Sequence, residues 1–185
     1  MNLIHLRDLT SALVIKEIKS KYKSTTLGFL WVFINPLLQM LVLTLVFSFF
    51  FRLNIANYPL FVLSGLLPWT YFSLALTAGT GSLINNRDLI KKVPFKRELL
   101  PISAVLANLL TFLAALLLLI LFNLNPALFL LIPIIFIQTL LIIGITLLTS
   151  SLDIYYRDVS FIVQAGLMVW FYLTPVFYPV SLVPV

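Results

Sequence analysis

The chain has 185 residues, of which 62% are hydrophobic and only 10% are charged, and its formal net charge is +6. Soluble domains contain about 45–50% apolar and about 25% charged residues, and they need polar groups to cover an apolar core. With a mean hydropathy of +1.12, the composition excludes most soluble enzymes, disordered chains and disulfide-stapled modules. It indicates a membrane protein.

The chain begins with a polar stretch, residues 1–26, that is rich in Lys, Glu and Ser. Apolar side chains recur in it at helical spacing; they are Leu6, Leu9, Leu13, Val14, Ile18 and Tyr22. This pattern predicts an amphipathic helix that lies on the membrane surface. A solvated basic leader is the alternative.

Five apolar runs follow, and each has at least the roughly 20 residues that a membrane-crossing helix needs. The runs cover residues 27–51, 58–83, 99–122, 127–151 and 159–178. The predicted fold is therefore an all-α membrane protein, with an N-terminal amphipathic interfacial helix and a transmembrane domain of five helices over residues 27–185. Ionisable residues avoid the runs, apart from Glu98 beside the third, and residues 152–158 are predicted to form a loop.

The basic residues predict which side of the membrane each loop occupies. Eleven of the twelve Lys and Arg residues precede the first run, lie between the second and third, or precede the fifth, and Arg52 is the exception. By the positive-inside rule, this side is cytoplasmic and includes the N-terminus. The bases form short clusters between apolar runs rather than one basic face, which argues against nucleic-acid binding.

No catalytic constellation is evident in the sequence. The chain has no cysteine and one histidine, His5, and it lacks the GxxxxGK[ST] loop that would bind ATP. We therefore expect no enzyme activity, no bound cofactor and no metal. Ion-coupled carriers use ionisable groups inside the membrane, which the runs lack, so the energy for any transport would arrive from a cytoplasmic partner. The stretch from Gly79 to Gly81 is expected to allow close helix approach.

The two candidates for receiving that partner are the N-terminal helix and the loop over residues 84–98. Asp88 and Lys92 stand four residues apart, which suits an ion pair on a short helix, and Pro94 would end that helix. The loop therefore predicts a short amphipathic helix on which a cytoplasmic partner docks. The alternative is that its Lys and Arg side chains meet anionic lipid headgroups.

Four segments resemble the ABC-2 type permeases of bacterial polysaccharide export, the membrane subunits of O-antigen, capsule and teichoic-acid exporters. The segments, in chain order, are KSKYKSTTLGFLWVFINPLLQM, SGLLPWTYFSLAL, LIKKVPFKRELLPISAVLANL and YYRDVSFIVQAGLMVWFYLTPVFYP. The resemblance runs from about Arg7 to the end of the chain and keeps the order and spacing of these motifs. Family members usually continue past the PVFYP segment to a sixth span, so we expect this chain to be truncated relative to them.

The resemblance implies half of a transporter in the bacterial cytoplasmic (inner) membrane. Two permease copies would pair, and each would dock a separate ATPase subunit that binds ATP and Mg²⁺. The exported substrate would be a lipid-linked polysaccharide or polyol-phosphate polymer. Two alternatives are an ABC-2 permease that exports a drug or a lipid, and a membrane-embedded enzyme that acts on a lipid-linked sugar.

The resemblance also implies two contacts with the ATPase. The first is a coupling segment that consists of Asp88, Leu89, Lys91, Lys92, Val93, Pro94 and Phe95. The second, before the fifth run, consists of Tyr155, Arg157 and Asp158. The alternative for the second is simple anchoring, in which Asp158 caps a helix and Arg157 snorkels toward the headgroups.

Aromatic residues near the middle of two runs are candidates for the substrate path, because aromatic rings can stack on the C–H faces of sugars. They are Trp69, Tyr71 and Phe72 in the second run, and Trp170, Phe171 and Tyr172 in the fifth. Trp and Tyr normally prefer the membrane interfaces, so the position of Trp69 and Trp170 at mid-depth suggests the hypothesis of a pore-lining role. The alternative is that they face lipid or pack between helices.

Overall fold

The computed structural model describes residues 3–23, 25–50, 55–122 and 130–180, and within these ranges all regular structure is helical. This confirms the all-α class. In chain order, the elements are α1 (Leu3–Tyr22), a 3₁₀ turn (Gly28–Leu30), α2 (Trp31–Thr44), a π-helical segment (Leu45–Phe50), α3 (Tyr58–Thr80), α4 (Ser82–Asn85), α5 (Arg87–Lys92), α6 (Leu99–Phe122), α7 (Leu131–Tyr155) and α8 (Val159–Leu173).

Four helical stretches of the described chain are long and apolar enough to cross a membrane. They are Gly28–Ser48, Tyr58–Thr80, Leu99–Leu121 and Leu131–Tyr155, and they match the first four predicted runs to within a few residues at each described end. The fourth differs most, because α7 continues to Tyr155 instead of ending near Ser151. Arg52 lies outside the described residues.

The fifth predicted run forms α8, which has 15 residues. At 1.5 Å per residue, such a helix is about 22 Å long, which is less than the roughly 30 Å of a bilayer's apolar core. The helix ends because Thr174 is extended, with φ −90° and ψ 136°, and it precedes Pro175, which disfavours a helical conformation in the residue before it. The number of membrane crossings therefore stays a prediction.

Helix α3 lies at the centre of the bundle and packs against α2, α6, α7 and α8. The core between α3, α6 and α7 is built on Leu63, Val105 and Ile142, which are completely buried. Large apolar side chains on the outer faces of α7 and α8, including Phe136 and Phe161, are exposed. Such a bundle is typical of a membrane domain, in which helices associate through close packing while lipid covers their outer faces.

Helices α3 and α7 approach each other closely near the C-terminal end of α3. A Cβ atom added at Gly79 would collide with the side chain of Thr146, which confirms the predicted close contact. One residue further, the hydroxyl groups of Thr80 and Thr149 lie 2.8 Å apart. These contacts place the ends of α3 and α7 side by side.

Helix α1 packs along the first part of α6. Leu13 forms a small buried cluster with Leu83 and Leu100, the Lys16 ammonium donates a hydrogen bond to Asn86, and the Lys21 ammonium donates one to Asn108. Helix α1, the segment 82–98 and the loop between α7 and α8 therefore occupy one end of the bundle, which we call the basic end. The structure gives α1 nearly the extent predicted for the N-terminal region, while its place on a membrane surface stays a prediction.

Candidate functional site: the basic end and an aromatic cluster

The predicted coupling segment forms a short helix, α5, followed by an extended stretch. Val93 has φ −131° and ψ 127°, which is the conformation favoured before proline, so Pro94 ends the helix as predicted. Leu89 and Phe95 pack against the cluster of Leu13 and Leu100. These two side chains therefore hold the segment against α1 and α6 and do not face outward.

The remaining members of the coupling segment are exposed; they are Asp88, Lys91, Lys92, Val93 and Pro94. Asp88 and Lys92 do not form the predicted ion pair. The ion pair found among the described residues joins Arg7 and Asp8, at 3.6 Å. An ion pair between exposed side chains adds little to stability, because both charges are already well hydrated. Asp88 and Lys92 therefore gain little free energy by pairing. Both charges are left available to a docking partner.

The loop between α7 and α8 is exposed at the same end. Tyr155 is 81% exposed, and Arg157 and Asp158 are exposed as well. The expectation that Asp158 caps a helix is wrong, because its side chain makes no capping hydrogen bond at the start of α8. Asp158 has helical angles, φ −77° and ψ −13°, whereas a capping residue is normally extended.

Asp153 is the residue that caps α8, and the sequence analysis missed it. Its carboxylate accepts a hydrogen bond from the backbone N–H of Ser160 at 3.1 Å, and it is only 2% exposed. The sequence placed Asp153 in a loop, but α7 continues through it. The spacing of residues could have predicted its burial, because Asp153 continues a series at intervals of three and four residues that forms one face of a helix. The members of this buried series are Thr139, Ile142, Thr146, Ser150 and Asp153.

Five of the six candidate aromatic residues of the substrate path come together between α3 and α8. The ring of Trp69 lies 5.8 Å from Phe72, 6.4 Å from Trp170 and 5.6 Å from Phe171, measured between centroids. Phe72 is also 5.5 Å from Trp170, and Phe171 is 5.4 Å from Tyr172. We call these five residues the aromatic cluster.

The aromatic cluster is partly open and extends beyond the predicted residues. Trp170 is 51% exposed and Tyr172 is 59% exposed. Phe177, which the sequence analysis did not single out, lies 5.5 Å from Phe171 and 6.2 Å from Tyr172. The cluster thus continues along the chain segment that follows α8.

Tyr71 does not join the aromatic cluster. Its ring stacks on Phe112 at 5.0 Å and an interplanar angle of 10°, and its hydroxyl lies 3.0 Å from that of Thr139, to which it donates a hydrogen bond. Consecutive residues of an α-helix point about 100° apart, and here Tyr71 points toward Phe112 of α6 while Phe72 points toward Trp170 of α8. The structure places Tyr71 in the core between α3, α6 and α7, where it is 2% exposed.

A cavity of about 640 Å³ borders the aromatic cluster, between α2, α3 and α8. Trp69, Phe171 and Tyr172 form one part of its wall, and Gln39 and Ser73 contribute polar groups. Rings for stacking beside side chains that can form hydrogen bonds are a suitable lining for a sugar chain. No group of His, Asp and Glu suited to a metal ion is found among the described residues.

Comparisons with known proteins identify the family. The chain is 37% identical to the O-antigen export system permease protein RfbA of Myxococcus xanthus, over 97% of the chain and 71% of that protein. It is also 37% identical to the O-antigen export system permease protein RfbA of Klebsiella pneumoniae, over 99% of the chain and 73% of that protein. The chain belongs to the O-antigen export permeases.

More distant export permeases match part of the chain. The polysialic acid transport protein KpsM of Escherichia coli is 29% identical over 54% of the chain and 38% of that protein. No family model matches the chain. The relatives confirm the predicted resemblance to permeases of polysaccharide export, and they support a transporter subunit rather than an enzyme.

Proposed function

We propose that this chain is the transmembrane subunit of an ATP-driven ABC transporter that exports a lipid-linked polysaccharide across the bacterial inner membrane. The observation that carries the proposal is 37% identity to O-antigen export permeases along nearly the whole chain. The membrane-crossing helices, the exposed charged end and the aromatic cavity supply the parts that such a function needs.

The basic end would dock the ATPase subunit, which holds ATP and Mg²⁺. Leu89 and Phe95 fix the coupling segment to the core of the basic end, while Lys91 and Lys92 remain exposed. A segment held in this way can transmit the movement of a docked partner to α1 and α6 instead of yielding alone. Tyr155, Arg157 and Asp158 offer a second exposed contact, and the positive-inside rule places this end, with the N-terminus, in the cytoplasm.

The cavity beside the aromatic cluster would form part of the substrate path. Its wall combines α2, α3 and α8, and the faces of α2 and α8 that carry Leu41, Val42 and Trp170 are exposed in one copy. A second copy of the chain that covers these faces would enclose the path between two sets of aromatic residues. In this arrangement α1 is the interfacial helix and α8, with the segment after it, completes a fifth crossing.

The function can be tested by deleting the gene in its host. Loss of export predicts that surface polysaccharide disappears and that lipid-linked polymer accumulates inside the cell, with both effects reversed by the wild-type gene. Unchanged surface polysaccharide would contradict the proposal. Loss of the polymer both inside and outside the cell would instead assign the chain to synthesis.

A further inference from the structure

A second cavity, of about 310 Å³, lies between α1, α2, α3 and α6 and is separate from the aromatic cluster. This volume is within the range of about 300–1,000 Å³ that is typical of small-molecule sites. Its lining includes the polar residues Lys21, Tyr22, Asn35 and Asn108, and the apolar residues Leu67, Phe112 and Ala115. The lining therefore suits a ligand that is itself polar in one part and apolar in another.

Lys21 gives this cavity its positive charge. The Lys21 ammonium donates a hydrogen bond to Asn108 Oδ1 at 3.1 Å, and none of the described residues that line the cavity is acidic. Glu17, one turn earlier on α1, lines a neighbouring cavity with Lys21, but the two do not form one of the ion pairs found among the described residues. The charge of Lys21 thus has a neutral partner and no matching anion.

Three more hydrogen-bond donors line the same cavity. Tyr22, Trp31 and Asn35 all line it, and their side chains carry a hydroxyl, an indole N–H and an amide, respectively. None of the three side chains forms a hydrogen bond with another described residue. A lysine and several unpaired donors with no acid among them are complementary to an anion that has several acceptor oxygens, such as phosphate.

The position of Lys21 strengthens this argument. Asn108 lies nine residues into α6 (Leu99–Phe122), which is about 14 Å from the start of that helix and within one turn of its middle. Partial burial lowers the pKa of Lys21 from its ordinary value. An ionisable group that is partly buried against apolar helices is costly and often marks a binding site.

We propose that this cavity binds the phosphate of a lipid, with the phosphate at Lys21 and the adjoining hydrocarbon against Leu67, Phe112 and Ala115. Two sources share this chemistry: the phosphate-linked carrier of the exported polymer, and a membrane phospholipid. The first source rests on the proposed function. The second would make the site a structural lipid site in the same protein.

The test measures binding to the purified full chain in detergent. The probe is radiolabelled geranylgeranyl phosphate, and the competitors are geranylgeraniol, phosphatidylglycerol and inorganic phosphate. We expect saturable binding that geranylgeraniol competes for only weakly, because it lacks the phosphate. Competition by phosphatidylglycerol at equal concentration would assign the site to phospholipid, and its failure to compete would assign the site to the prenyl carrier. Competition by inorganic phosphate alone would show that the hydrocarbon contributes nothing and would overturn the lipid assignment.

Variants connect the binding to the cavity. Lys21→Gln should weaken probe binding about tenfold through loss of a charge-assisted contact, and Lys21→Arg should retain most of it. Lys23→Gln is the matched control, because Lys23 directly follows α1 but does not line the cavity. If Lys21→Gln does not yield monodisperse protein, Tyr22→Phe combined with Asn35→Leu removes two donors and keeps the lysine, and it should weaken binding severalfold.

Equal probe binding by the wild type and the Lys21→Gln variant would overturn the proposal, as would equal competition by geranylgeraniol and its phosphate. The assay needs neither ATPase nor export. If the probe does not bind but the chain is needed for export, only this site is rejected. If the probe binds but deletion of the gene leaves export unchanged, the proposed function is rejected.

Discussion

The Asp153 carboxylate accepts the backbone N–H of Ser160 at 3.1 Å, so the last turn of α7 caps the first turn of α8. This contact fixes the point from which α8 departs. Trp170 and Phe171 lie further along α8 and reach Trp69 of α3. Three of the five members of the aromatic cluster therefore lie on a helix whose opposite end is capped by this carboxylate.

Removal of this cap should destabilise the protein. Asp153→Ala leaves the Ser160 amide without its partner and should cost about 1–2 kcal/mol, whereas Asp153→Asn keeps an acceptor oxygen and should cost less. The measurement is thermal unfolding of the purified protein in detergent. Asp158→Ala is the control and should change stability little, because the Asp158 side chain makes no capping bond; a larger loss in this control than in Asp153→Ala would contradict the assignment.

The contact between α3 and α7 should tolerate no added methyl group at Gly79. Gly79→Ala would force the new Cβ into Thr146, and overpacking of this kind costs about 1–3 kcal/mol. Gly144→Ala, on α7, is the matched control, since a Cβ there meets nothing within 4 Å. Thermal unfolding in detergent compares the two, and equal stability of both variants would refute the tight contact.

Charge reversal on the coupling segment should weaken the association with the ATPase. Lys91→Glu with Lys92→Glu changes two exposed side chains and should reduce the amount of ATPase that co-purifies with the chain, with membrane insertion unchanged. Lys91→Arg with Lys92→Arg keeps both charges at the same positions and serves as the control. Undiminished co-purification of the charge-reversed variant would reject the docking role.

Loss of an open member of the aromatic cluster should reduce export. Trp170→Ala removes a ring that lies 5.5 Å from Phe72, and it should lower surface polysaccharide severalfold at an unchanged protein level. Phe161→Ala is the control, because Phe161 is an exposed aromatic residue of α8 outside the cluster. A parallel drop in protein and export in the Trp170 variant would instead indicate a packing role.

As the pH rises, phosphate binding at Lys21 should begin to weaken at a lower pH than it would if the binding lysine were exposed. Burial lowers the pKa of Lys21, so the positive charge is present below that pKa and lost above it. Two other titratable groups line the cavity, Tyr22 from α1 and Tyr71 from α3. Glu17 lines the adjoining cavity. Helices α2 and α6 contribute no titratable group among the described lining residues. Probe binding measured from neutral to alkaline pH should fall in wild type, while Lys21→Arg should retain binding across the range.

The same lowered pKa fixes the sign of a stability effect. Between the lowered pKa of Lys21 and its ordinary value, the unfolded chain binds more protons than the folded chain, so the contribution of Lys21 to stability rises with pH in this window. Thermal unfolding of wild type against Lys21→Gln, in the absence of phosphate lipids, should show a difference that narrows as the pH rises. A constant difference would place the Lys21 ammonium in water.

Local patterns predicted the features that depend on neighbouring residues in the chain. Hydropathy located four helices that are long and apolar enough to cross a membrane, Pro94 marked the end of α5, and the Gly79 region gave the close helix contact. Features that depend on packing were missed. The burial of Asp153 follows from the stripe that α7 turns toward α3, and the direction of Tyr71 follows from the position of Phe112 on α6.

Lys21 is the clearest example of a feature that depends on packing and that local sequence patterns did not predict. The sequence places it in a polar leader, away from every apolar run, so the runs look free of ionisable groups. The structure lays α1 along α6 and brings the Lys21 ammonium to Asn108. Only the packing of two distant segments creates this charged site beside the membrane helices.

ATP-dependent transport into inverted inner-membrane vesicles tests the export function most directly. Vesicles from cells that make the chain and its ATPase should accumulate labelled lipid-linked polysaccharide in the lumen, protected from added glycosidase, only when ATP is supplied. Vesicles from the gene-deletion strain should accumulate none. Equal protection of the polymer without ATP, or without the chain, would contradict the account.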